Sequence, residues 1–268
     1  MSEEHRKYLR GIKRRRSLVT LARVLLLVLM IGGWELAVRL GLADPFIVSS
    51  PSRVVSCLAG LASRGELLPH VAATFAETAA GFAAGTAAGC AAAVLLWFSP
   101  FLERVLEPYL VVLNALPKIA LGPILIVWVG AGAGAIIVMA LLVSTVVTVM
   151  TVLAGFLEQG KEKQELMASF GATRAQTFLK AVLPASVPSI MSALRISVGM
   201  SWVGVIVGEY LVSKRGIGYL IVYGGQVFRL DLVMASVSVL CVLAAAMYYA
   251  VAFFEKRVSA RFAETAAK

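Results

Sequence analysis

Six stretches of this sequence are long, apolar and nearly free of charge: residues 17–40, 71–98, 105–129, 133–156, 188–212 and 232–254. A helix needs about 20 such residues to cross the hydrocarbon core of a bilayer. Inside lipid every backbone N–H and C=O must be satisfied within the chain, which leaves helices or a closed barrel. Runs this long are helical, so the chain is expected to be an all-α membrane protein with six transmembrane helices. Composition agrees: 60% of residues are hydrophobic and 15% charged, against about 25% charged in soluble domains. A water-soluble surface cannot be built from so few charges.

The net charge of +10 does not form a basic face of the kind that binds nucleic acid. Much of it sits in residues 1–16, where Arg6, Lys7, Arg10, Lys13, Arg14, Arg15 and Arg16 precede the first apolar run. Residues 1–16 therefore read as a basic segment held beside anionic lipid headgroups, and residues 17–268 as one membrane domain. The first apolar run is longer than a signal-peptide core, and no small-residue cleavage site follows it. With the N-terminus in the cytoplasm, Arg104, Lys161, Lys163, Arg174, Lys180, Lys256, Arg257, Arg261 and Lys268 also fall inside. Only Arg53, Arg64, Lys214, Arg215 and Arg229 fall outside, so both termini are expected in the cytoplasm. Three cysteines (Cys57, Cys90, Cys241) and two distant histidines (His5, His70) give neither a disulfide framework nor metal-ligand spacing.

Local signals place further features. Ser50 or Ser52, followed or preceded by Pro51, suits the start of a short outer helix reaching about residue 63, too short to span. Gly81, Gly85 and Gly89 form a small-xxx-small row, which brings helix backbones close either inside the bundle or at a subunit interface. Among ionisable residues at membrane depth are Glu35, Arg39, Glu77, Lys118, Arg195 and Glu209. Glu35 and Arg39 are spaced for an i,i+4 pair. Lys118 lies in the third run beside Pro117 and near Asn114, the one asparagine of the chain. Two roles fit it: a cation attracting an anionic solute into a pathway, or a structural lysine. Ser197, Ser201 and Trp202 are further candidates for the wall of such a pathway.

The inner loop 157–187 is long and polar where other inner connections are short. Residues 162–170 favour a helix with Leu166, Met167 and Phe170 on one stripe. Gly171 suits its left-handed end, and Thr173 suits the cap of a second helix. Pro184 and Pro188 are expected to break the chain before the fifth span. A compact amphipathic elbow of this kind suits docking into another protein.

The elbow resembles the loop E-A-A-x3-G-x9-I-x-L-P of ABC importer permeases. Glu165, Gly171, Leu183 and Pro184 match at the right spacing, while Leu166, Met167 and Ala181 depart from it. The resemblance extends over most of the chain. The segment from Asn114 through Leu116-Pro117-Lys118 to Gly122-Pro123, ending at Trp128-Val129-Gly130, is similar to the taurine, alkanesulfonate and nitrate permease subfamily. So are Gly208-Glu209-Tyr210-Leu211 and Arg215-Gly216-Ile217-Gly218.

That resemblance implies the type I ABC importer permease fold in the bacterial inner membrane. It implies a homodimer around a translocation pathway, with the loop as a coupling helix in a cleft of an ATPase. The implied partners are a second copy, two ATP-binding cassette subunits, a periplasmic or lipid-anchored solute-binding protein and membrane lipid. Glu165, Met167, Phe170, Gly171, Leu183 and Pro184 would form the coupling loop. Asn114, Lys118, Ser197, Ser201, Trp202 and Glu209 would line the pathway. No G-x-x-x-x-G-K-[S/T] run is present, so ATP and Mg belong on the partner, with no metal or cofactor on this chain. The implied solute is a sulfonate, taurine or nitrate; a thiamine-precursor pyrimidine, bicarbonate or an aromatic acid also fits. An ion-coupled carrier would leave the elbow unexplained, and a membrane enzyme would need a catalytic cluster the sequence lacks.

Overall fold

A computed structural model describes residues 3–158 and 161–266, with side chains for residue 15 and residues 17–158 and 164–257. The basic side chains at 6–14 and 16, and those at 161, 163, 261 and 268, lie outside the described residues. The described chain is helical: α1 (Glu3–Arg39), α2 (Pro45–Val48), α3 (Pro51–Ser63), α4 (Leu67–Phe98) and α5 (Pro100–Ala115) come first. A 3₁₀ turn (Lys118–Leu121), α6 (Gly122–Val129), α7 (Ala133–Glu158), α8 (Lys161–Ser169) and α9 (Arg174–Thr177) follow. The chain ends with a π-helical segment (Phe178–Val182), α10 (Leu183–Ala185), α11 (Val187–Val212), α12 (Ile217–Gln226) and α13 (Leu230–Ala266).

Among the described residues five helices are long and apolar enough to span: Ser17–Arg39 of α1, α4, α7, α11 and Leu230–Arg257 of α13. The span expected third in order, residues 105–129, is not one rod. The axis bends by 87° between Pro100–Ala115 and Lys118–Val129. Pro117 removes a backbone donor and pushes the residue before it out of the helical region; Leu116 is extended (φ −61°, ψ 135°). The Lys118 ammonium donates to the Asn114 carbonyl at 3.1 Å, occupying an acceptor near the break.

The core is built on α7, which packs against α4 on one side and α11 on the other. Along α4, Gly81, Gly85 and Gly89 face Ala140, Ser144 and Thr148 of α7 in register. A Cβ on Gly89 would lie 2.6 Å from the Thr148 Cβ, so the row lets two backbones touch. Lipid gives little reward for apolar association, so this close dispersion contact carries the packing. Hydroxyls stitch the seam: Thr145 donates to the Gly85 carbonyl at 3.3 Å, and Thr148 and Ser197 share a hydrogen bond at 2.9 Å. Such bonds in membrane interiors contribute about 0.6 kcal/mol each.

The ends of the bundle differ. One carries α8 and α9, which we call the elbow end; the other carries α2, α3 and α12. At this far end Ser50 caps α3, and Arg53 bridges to Asp231 at 3.0 Å. Glu35 pairs with Arg39 at 2.8 Å and accepts from the Ser52 N–H at 3.1 Å, tying α1 to the start of α3. Residues 17–33 of α1 are exposed in this chain, and Trp34, Glu35, Ala37 and Val38 are half-buried.

Candidate functional site: the elbow, the pathway residues and the far-end clamp

The elbow folds as its residues dictate. Gly171 ends α8 in the left-handed conformation (φ +73°). Thr173 begins α9 with a reciprocal capping box: its hydroxyl accepts from the Gln176 N–H, and the Gln176 side chain accepts from the Thr173 N–H at 2.8 Å. Two locked turns therefore present α8 as a projection. Glu165, Leu166 and Phe170 point outward, with Leu166 58% and Phe170 76% exposed, while Met167 is half-buried. Large apolar side chains held out by a rigid backbone suit a protein partner.

Pro184 and Pro188 do not break the chain. Each sits in the first turn of a helix, where its missing N–H costs nothing. Ser186 bridges the two turns: its N–H donates to the Val182 carbonyl at 2.9 Å and its hydroxyl to the Gly155 carbonyl of α7 at 3.1 Å. Leu183 and Pro184 are half-buried beneath the elbow. The elbow thus runs into α11 through a nearly continuous helical path.

An aromatic knot joins the elbow to the spans. Phe178, 5% exposed, lies 4.8 Å from Trp97 and 5.2 Å from Phe98 of α4, and 5.3 Å from Phe156 of α7, ring centre to ring centre. The Arg174 guanidinium stands 5.4 Å over the Trp97 ring and donates to the Trp97 carbonyl at 3.1 Å. None of Trp97, Phe156, Arg174 or Phe178 was singled out from sequence as a site. Trp97 and Phe156 lie 77 and 18 residues before Arg174 in the sequence, so no local pattern joins them to the elbow.

The residues expected on a pathway are scattered. Ser197 and Ser201 are fully buried at the junction of α4, α7 and α11, where Ser201 donates to the Ser197 carbonyl at 2.8 Å. Trp202 is 5% exposed and borders a cavity of about 780 Å³ between α11 and α13, shared with Ser192, Arg195, Gly199, Ala244 and Tyr248. Arg195 there is ion-paired with Glu255. A second cavity of about 540 Å³ opens beside Met150, Ala154, Pro188 and Ser192. Asn114 is exposed and Lys118 half-buried at the break of the third span.

Glu209 is 1% exposed at the far end and is fully engaged. Its Oε1 accepts from the Thr74 hydroxyl at 2.6 Å and its Oε2 from the Gly218 N–H at 2.5 Å. The Ile217 N–H donates to the Thr74 oxygen at 2.7 Å, and the Gly216 N–H to His70 Nδ1 at 3.0 Å. Together α4 and Glu209 clamp the turn between α11 and α12. The clamp explains why Arg215-Gly216-Ile217-Gly218 needs its glycines: a Cβ on Gly218 would sit 2.7 Å from the Glu209 carboxylate. Thr74 and His70 were not legible as its partners.

Helices long and apolar enough to span, a third span broken at Pro117 and a capped elbow define a polytopic membrane protein. Residues 85–262 match the family described as binding-protein-dependent transport system inner membrane component, and the chain belongs to that family. It is 31% identical over 219 residues to a Haemophilus influenzae protein named "Probable ABC transporter permease protein", covering 81% of this chain and 88% of that one. It is 27% identical to the formylaminopyrimidine transport permease ThiX of Halalkalibacterium halodurans (76% and 81% covered). It is 26% identical to the taurine transport permease TauC of Escherichia coli (84% and 84% covered). The fold is similar to the MetNI methionine ABC transporter solved in inward-facing conformations, with a TM-score of 0.64, 21% identity, and 72% of this chain and 95% of that one covered.

Proposed function

We propose that this ABC permease pairs with a second copy and with two ATP-binding cassette subunits, to carry a small anionic solute delivered by a binding protein. The carrying observation is the elbow, whose backbone is locked by Gly171 and the Thr173–Gln176 box while Glu165, Leu166 and Phe170 stand in the open. The ATPase would receive α8, and ATP with Mg would reside on that partner. The elbow end and both termini would then face the cytoplasm of a bacterial cell, with the inner membrane around the spans.

The pathway would run along the face of α11 that carries Ser192, Arg195 and Gly199, beside the two cavities and the bend at Lys118. Ser197, Ser201 and Glu209 would hold the bundle together instead, since they are enclosed within it. A sulfonate or taurine solute is supported by the likeness to the taurine permease. A formylaminopyrimidine is the second reading, supported by the likeness to ThiX.

The test is co-purification of the chain with its ATPase, followed by uptake of labelled taurine, an alkanesulfonate and formylaminopyrimidine into vesicles holding the complete importer. Gly171→Val should leave insertion intact but raise the ATP consumed per solute by about tenfold, because a β-branched residue at that φ costs about 1–2 kcal/mol. Failure to recover an ATPase, or normal coupling in Gly171→Val, counts against the proposal.

A further inference from the structure

We infer that Arg174 is the positioning residue that carries movement of the elbow into α4, through its contact with Trp97. This rests on the docking of α8 proposed above and adds the route by which that docking reaches the membrane.

Arg174 opens α9 directly after the capped turn, so it moves with the elbow. Its guanidinium is fixed at two points on one residue of another helix: the Trp97 carbonyl at 3.1 Å and the face of the Trp97 ring at 5.4 Å. That carbonyl belongs to the last turn of α4, where intrahelical donors run out, so the arginine supplies a missing partner and a favourable charge. Phe178, one turn further on, fills the space among Trp97, Phe98 and Phe156. Rings packed this closely, edge to face against Phe156 and tilted against Trp97 and Phe98, resist independent displacement. A second link to α7 lies further along the chain: Ser186 holds the Gly155 carbonyl at the start of α11, beyond the π-helical segment. A π insertion is a place where a helix can yield. The arginine contact lies on the elbow side of that yielding point, so α4 is tied to the elbow more directly than α11 is.

Hydrogen exchange on the importer complex, with and without ATP and vanadate to trap the ATPase closed, tests the route. In the unaltered complex, trapping should change exchange both in residues 164–172 and in residues 93–98 at the end of α4. In Arg174→Ala the first change should persist and the second should fall by about fivefold or more, the lower range of an allosteric coupling. Arg174→Lys keeps the charge but loses the planar stack and fork, and should be intermediate; if the alanine variant fails to assemble, the lysine variant is read the same way. An unchanged response at 93–98 overturns the inference. So does raised exchange at 93–98 before nucleotide is added, which would mark Arg174 as a mere staple of the helix end. Silence of 164–172 in the unaltered complex overturns the docking of α8 itself.

Discussion

Gly216 lies so close to Glu209 that a methyl group on it would occupy the space of the carboxylate, and its φ of +117° is one that side chains rarely adopt. Space and backbone conformation therefore demand glycine at the same position. Gly216→Ala is expected to destabilise the fold by about 1–3 kcal/mol. Gly225 of α12 has open space around its Cβ position, and Gly225→Ala should be neutral or slightly stabilising. Thermal unfolding in detergent compares the two; equal effects would refute the account of the clamp.

The clamp also predicts non-additivity. Glu209→Leu removes the acceptor of both the Thr74 hydroxyl and the Gly218 N–H, at about 1–3 kcal/mol for each buried donor left unpaired. Thr74→Val removes one of those donors, so the double variant should lose less than the sum of the singles. A double-mutant cycle of unfolding free energies reads this, and strict additivity would mean that the two groups do not act together.

The seam between α4 and α7 predicts sensitivity at Gly85. A Cβ there would meet the Ser144 side chain, so Gly85→Ala should cost about 1–3 kcal/mol and Gly85→Leu should prevent packing. Gly33 of α1 has nothing within 4 Å of its Cβ position, and Gly33→Ala is the control. Detergent stability of the purified variants separates them.

Lys118 offers a choice between two measurable roles. Lys118→Met removes its bond to the Asn114 carbonyl and should lower stability by about 1 kcal/mol. If its charge also draws an anionic solute, Lys118→Gln, which keeps a donor without the charge, should lower uptake by the complete importer by about tenfold or more. Normal uptake in Lys118→Gln would assign Lys118 to the bend alone.

The parts of this architecture written locally were legible in the sequence. Apolar length marked the spans, Ser50 (with Ser52 as the alternative) and Thr173 marked the caps of two short helices, Gly171 marked the left-handed stop, and the Gly81, Gly85, Gly89 row marked a close contact. The bend at Pro117 escaped because apolar residues continue through it, and hydropathy does not register a change of direction. The prolines at 184 and 188 misled for the converse reason: a proline that breaks a helix interior is harmless in a first turn. The clamp and the knot escaped because their partners are remote, with Thr74 lying 135 residues from Glu209 and Arg174 lying 77 from Trp97. Ser197 and Ser201, expected on a pathway from their polarity alone, are enclosed within this chain, and burial is not written in the local sequence.

The glycine row against Ala140, Ser144 and Thr148 has a mechanical corollary. Two helices meshed backbone to backbone cannot glide smoothly past each other: between one glycine and the next, Ala140, Ser144 and Thr148 would have to ride over the β-carbons of the α4 residues that separate the glycines. They must tilt together as a single strut. α11 meshes with α7 just as closely, at Gly204 over Ala140 and Gly208 over Ile136, so three helices form one stiff beam and bending is left to the kinked third span.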